Sequence, residues 1–101
     1  MTPIQHHDKR LTKAMSARAE LMLDHLREMV ADGLRCEIME CINYAVYRKI
    51  GSTSAVQTAM TWLLKNKYVI LKKSDRDARA RIYTISQKGR NYLADDQTKA
   101  A

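Results

Sequence analysis

Ser54, Thr58, Thr61 and Lys65 follow one another at steps of three and four, with Gln57 alongside them. On a helix that spacing places them on one face, with Trp62 on its flank. The face is small, polar and free of acids. Hydroxyls and amides both donate and accept hydrogen bonds, so such a face suits base edges or phosphate oxygens. A cationic group follows: Lys72, Lys73, Arg76, Arg79 and Arg81, with Asp75 and Asp77 the acids among them. A guanidinium suits a narrow, strongly negative groove, and an Asp next to an Arg in this stretch would orient the guanidinium rather than repel an anion. Lys72, Lys73, Lys88 and Arg90 are expected phosphate contacts, which position a protein without specifying sequence.

The charge distribution agrees with that chemistry. Residues 41–94 hold eleven Lys/Arg against two acids, a net of +9, whereas residues 1–40 hold six basic against seven acidic side chains, a net of −1. The last seven residues also sum to −1, giving the total of +7. A solvated basic face without a partner would share this composition. Segregation of the charge into one block, however, is the footprint of a surface built for a polyanion.

Other chemistries find little support. No Ser or Cys has a companion His and acid at readable spacing, and three glycines do not build a phosphate-cradling loop. No enzymatic activity and no cofactor are expected. Cys36 and Cys41, five apart on what reads as one helix, do not face one metal, and no other Cys or suitably spaced His completes a zinc set. They read as small buried or half-buried thiols in a reducing compartment, with an inter-subunit disulfide as the alternative. His6 and His7 fall in a polar N-terminus, and His25 is expected at the surface or the edge of the core. No apolar run approaches the ~18 residues of a membrane span, and no signal peptide opens the chain. A cytoplasmic, nucleoid-associated location without a membrane partner is the expectation.

The elements that would position these groups are legible in the periodicity. Residues 1–8 read as a loose arm. Lys9 to Asp32 reads as a helix, with Met15, Ala19, Met22, Leu26 and Met29 recurring at steps of three and four. Gly33 suits the left-handed residue that ends it. The apolar stripe is broad and lies outside the basic block. It is therefore expected to be a dimer contact within residues 9–33, with packing on the domain's own core as the alternative. A second helix is expected over Glu37–Ile50, broken by Gly51. A third runs over 53–67, with Ser52, Thr53 or Ser54 able to cap it and Val56, Ala59, Met60 and Leu63 facing inward. Tyr68–Lys73 and Arg81–Ser86 are rich in β-formers and flank a polar loop, so they predict a hairpin with a basic tip. A short helix from Arg90 to Asp95 and a frayed tail over 96–101 complete the chain. Trp62, Tyr44 and Tyr47 are expected to pack against a neighbouring helix or subunit rather than stack on bases.

The fold class expected is α+β, mainly α. Two helices joined by a short glycine-containing turn and followed by a two-stranded hairpin make a winged helix-turn-helix, here over residues 9–95. In that plan Ser52, Thr53, Ser54, Gln57, Thr58, Thr61 and Lys65 face the major groove, and the hairpin tip meets the minor groove or the backbone.

Residues 52–93 resemble the DNA-binding core of the multiple-antibiotic-resistance regulators (MarR) and their PadR-like relatives. The matching text is Ser-Thr-Ser-Ala-Val at 52–56, Leu63, Lys65-Asn66-Lys67-Tyr68-Val69, the tip Asp75-Arg76-Asp77-Ala78-Arg79, and the run Tyr83-Thr84-Ile85-Ser86-Gln87-Lys88-Gly89-Arg90. The resemblance implies a homodimeric transcriptional regulator on double-stranded DNA, with Arg79 in a minor groove and Asp77 steadying it. Three departures carry expectations of their own. The group has Gly where Lys67 stands, so Asn66 or Lys67 must take a less comfortable backbone. Gly51 lies one residue closer to Val56 than the pattern prefers, which predicts an irregular turn. The long terminal helices that frame a ligand pocket in that group have no counterpart here, so no small-molecule effector is expected. A protein-interaction winged helix and a replication or recombination accessory factor are the alternatives to a transcriptional regulator.

Overall fold

Three of the four helices among the described residues begin on a serine. Ser16 Oγ accepts from the Ala19 amide at 3.1 Å and opens α1 (Ala17–Ala31). Ser52 Oγ accepts from the Ala55 amide at 3.2 Å and opens α3 (Thr53–Lys65). Ser86 Oγ accepts from the Gly89 amide at 3.1 Å and opens α4 (Gln87–Ala100). Each serine satisfies an amide that the helix itself leaves without an acceptor. Between α1 and α3, α2 (Ile38–Tyr47) starts after Glu37 without a side-chain cap. Strands β1 (Val69–Lys73) and β2 (Arg81–Ile85) pair antiparallel between α3 and α4. The computed structural model describes residues 15–74 and 79–100. The arm expected over 1–8, His6, His7 and the tip residues Arg76 and Asp77 lie outside them.

The first three helices end in the same way. Gly33, Lys49 and Lys67 take φ of 76°, 63° and 68°. Beyond each, an amide reaches back to the helix: Leu34 to Met29 O, Ile50 to Ala45 O and Tyr68 to Leu63 O, at 2.8, 3.0 and 3.0 Å. The left-handed residues themselves bond Val30 O, Val46 O and Leu64 O. This is the Schellman termination, and glycine is its usual left-handed residue. The break after α2 therefore falls at Lys49 rather than at Gly51, whose φ is not left-handed. The uncomfortable backbone expected at Asn66 or Lys67 is found at Lys67.

Helix α1 lies against α3, α2 and α4 and supplies much of the core. Met15, Ala19, Met22, Leu23, Leu26 and Met29 are buried with Cys41, Ile42 and Ala45 of α2 and with Val56, Ala59, Met60 and Leu63 of α3. The stripe Met15, Ala19, Met22, Leu26 and Met29, expected at a dimer contact, is thus enclosed within the chain's own core. Three helices and a hairpin need that much apolar surface from their central helix, and none of these five side chains is left for a partner.

Val69 pairs with Ile85, Ile70 with Thr84, Leu71 with Tyr83, Lys72 with Ile82 and Lys73 with Arg81. Val69 and Tyr83 are buried, which fixes the inner face of the hairpin. Tyr83 N donates to Cys36 O at 2.8 Å, and Glu37 bridges Ile82, so the segment before α2 docks on the free edge of β2. Cys36 consequently precedes α2, and the two cysteines do not share a helix. Both are buried free thiols, and burial pushes the Cys41 thiol up to about 12, with Cys36 nearby adding to the shift. Helix α4 starts earlier than its apolar anchors predict because Ser86 provides the cap, and it continues past Asp95 to Ala100.

Candidate nucleic-acid interface

Burial of Val56, Ala59, Met60 and Leu63 turns the opposite side of α3 outward. Ser54, Gln57, Thr58, Thr61 and Lys65 are all exposed, and with Trp62 they line one shallow depression. Ser52 and Thr53 are exposed at the helix start, although the Ser52 hydroxyl is engaged as the cap. Trp62 is half-buried and stacks on Tyr68, with ring centroids 5.7 Å apart and planes 12° from parallel; Tyr92 meets Tyr68 edge-on. The tryptophan thus ties α3 to the hairpin base and α4, the packing role expected for it.

The basic residues separate into two groups. Lys72 and Lys73 are exposed, but neighbouring strand residues point to opposite faces, so the two do not present one surface. Lys73 stands directly across from Arg81, concentrating two cations at one register. Arg81 also donates to Ala80 O at 3.3 Å, and Arg79 is exposed in the turn before β2. Lys88 and Arg90, expected as phosphate contacts, are exposed and also engage neighbouring carbonyl groups. Lys88 Nζ donates to Asn66 O at 2.9 Å and sits 4.4 Å over the Tyr68 ring. Arg90 donates to Ile85 O at 3.0 Å and to Gln87 Oε1 at 3.2 Å. Both clasp the strand–helix junction, where carbonyl oxygens at the end of α3 and β2 need donors.

Arg18 joins the α3 surface, a placement the sequence did not suggest. It is exposed in the first turn of α1, yet its Nε donates to Ile50 O at 3.2 Å. With Ser16, Ala55, Thr58, Ala59 and Trp62 it lines a second depression beside the first. Gly51 permits this, because a Cβ there would stand 2.7 Å from Arg18 Nε. The only sequence signal is an arginine 32 positions before the carbonyl it binds, and no periodicity links the two.

His25 is fully buried, not at the surface or core edge. Arg48 Nη1 lies 2.8 Å from Nδ1 and the Cys41 carbonyl lies 3.2 Å from Nε2. Arginine has donors only, so Nδ1 must accept and Nε2 must carry the proton. The ring is therefore neutral. Burial lowers its pKa below 6.5, against the pull of the Cys41 carbonyl and with the help of the Arg48 charge. Arg48 also pairs with Glu28 at 2.8 Å. This cluster fastens the end of α2, and so the entry to α3, onto α1.

Two further surfaces are apolar. Tyr44 and Tyr47 stack with centroids 6.2 Å apart, and Tyr47 is 80% exposed, so of the two packings expected for it the neighbouring helix is not the one it takes. On the other side, Val30, Leu34, Ile82, Tyr83, Ile85 and Leu93 line an open groove between α1 and α4, with Arg27, Arg35 and Arg90 also at its walls.

Among the described residues no cluster of three or more His, Cys, Asp or Glu could hold a metal ion, and no helix is long and apolar enough to cross a membrane. Comparison of the chain with protein-family models, with curated proteins and with solved structures gave no match.

Proposed function

We propose that the chain is a winged helix-turn-helix protein that binds double-stranded DNA, with α2 and α3 as the helix-turn-helix and β1–β2 as the wing. The observation that carries this reading is the outward face of α3: six exposed residues from Thr53 to Lys65 without an acid among them. A single helix fits the major groove, which is about 12 Å across. The net of +9 over residues 41–94 supports a polyanion as the partner. Arg79 and Arg81 carry positive charge beyond the helix, on the backbone or in a minor groove.

The protein acts in this proposal as a homodimeric transcriptional regulator on a two-fold operator. The second copy sits on the α1–α4 groove, where Val30 is 62% and Leu34 47% exposed. The exposed Asp95 on α4 offers charge complementary to Arg27 and Arg35 of the other copy.

Binding to random duplex DNA across a salt series tests the proposal. Six phosphate contacts per dimer give a slope of log K on log salt of about −5. Thr58→Glu places a carboxylate at the centre of the α3 face and should abolish binding. Its stability should stay within about 0.5 kcal/mol of the parent, as for other exposed positions. A salt-insensitive or absent interaction at low salt would remove DNA from the mechanism. That result would favour a protein-interaction domain, for which the exposed Tyr44–Tyr47 stack and the exposed Met39 on α2 are the supporting observation.

A further inference from the structure

We infer that Lys49 and Lys67 are phosphate-binding lysines, held in left-handed backbone at a cost in stability because their charges bracket α3. This rests on the DNA-binding proposal above. At the end of α1 the same backbone position is filled by Gly33, which has no Cβ to strain. Lysine has one, and unlike Asn or Asp it cannot offset the strain with a short polar side chain that bonds locally. The fold therefore gains nothing in backbone energy from lysine at either site.

Helix electrostatics do not account for the choice either. A cation near a helix C-terminus is favourable, but α2 already has Arg48 at its C-cap and α3 already has Lys65 in its last turn, both with ordinary backbone. Nor do local contacts. Both lysines are exposed, and among the described residues no hydrogen bond or ion pair engages either Nζ. Strain retained by a residue that the fold does not need is a signature of a working position.

Their placement supplies the work. Lys49 lies in the turn entering α3 and Lys67 in the turn leaving it. The helix between them spans 13 residues, about 20 Å at 1.5 Å per residue. A helix seated across the major groove carries its two ends toward the two phosphate walls. One lysine then meets each strand, and the polar face between them meets the bases. Arg18, pinned to Ile50 O, stands next to Lys49 in the same turn region.

Glycine variants separate this from a structural role because stability and binding move in opposite directions. Lys49→Gly and Lys67→Gly should each raise the thermal midpoint by about 4 °C. Each should also reduce the salt slope on random duplex DNA by about 0.9 for every phosphate that the variant no longer neutralises. Lys49→Arg and Lys67→Arg should keep the parental slope. Parental slopes in both glycine variants, with the parent binding normally, would overturn the inference and leave the DNA reading in place. A fall in midpoint would overturn its premise of strain. A parent that fails to bind duplex DNA would remove both.

Discussion

Acidification should destabilise this protein well above the pH at which carboxylates titrate, and His25 is the reason. Its ring has no exposed surface, its Nδ1 faces the Arg48 guanidinium at 2.8 Å, and its Nε2 faces the Cys41 carbonyl. Adding a proton to Nδ1 would break the first contact and set two cations against each other. The groups that face it are Arg48, Glu28, Cys41 and Tyr44; Glu28 favours the proton, but burial and Arg48 oppose it. The folded pKa is therefore below the unfolded value of 6.5. Above pH 6.5 both states are neutral at this ring and stability is flat. Below it the unfolded chain takes up a proton that the folded chain refuses, so stability falls with pH until the folded pKa is reached. The limiting slope for one group is about 1.4 kcal/mol per pH unit. With a urea m-value of about 1 kcal/mol/M, the unfolding midpoint should drop by roughly 1 M per pH unit in that window. Urea titrations between pH 7.5 and 5 measure this directly. His25→Gln, whose amide has a donor and an acceptor but nothing to titrate, should flatten the dependence. A parent with equal midpoints at pH 7 and pH 5.5 would refute the neutral, arginine-facing ring. The cluster joins the end of α2 to α1, so under the DNA-binding proposal the affinity for duplex DNA should weaken over the same window in the parent and not in the variant.

Gly89→Ala tests the junction of β2 with α4. Alanine should stabilise a helix by up to about 1 kcal/mol, but here the added Cβ would collide with the Tyr68 carbonyl and stand 2.7 Å from Ile85 Cγ2. Overpacking of about 1–3 kcal/mol outweighs the helix gain, and the thermal midpoint should fall rather than rise. Val30→Asp places a charge in the α1–α4 groove, at a side chain that is 62% exposed. Sedimentation equilibrium should show a dimeric parent and a monomeric variant of unchanged helicity; a dimeric variant would move the proposed contact elsewhere.

Much of the architecture was legible because it is local. The stripe Met15–Met29 marks α1, the β-formers in Tyr68–Lys73 and Arg81–Ser86 mark the hairpin, and Ser52 marks where the hydrogen bonding of α3 begins. The acid-free side of α3 was legible for the same reason: helical geometry sets which residues share a face. Lys67 is an instructive case. The absence of a glycine at a turn that needs one predicted strain there, and φ of 68° is what that demand produces.

What neighbours do with a face is not local. The periodicity of α1 announced an apolar stripe but not who covers it, and the remainder of the chain does. Charge pattern marked Lys88 and Arg90 as expected phosphate contacts but did not show that folding also brings them to Asn66 O and Ile85 O. His25 became a core residue because α2 carries Arg48 and the Cys41 carbonyl to either side of its ring. Arg18 reached α3 across 32 positions. Sequence determined the elements and their faces, since propensity, capping and periodicity act within a few residues. Tertiary structure decided which polar groups remain available, since donors and acceptors distant in the chain find one another only once the helices pack.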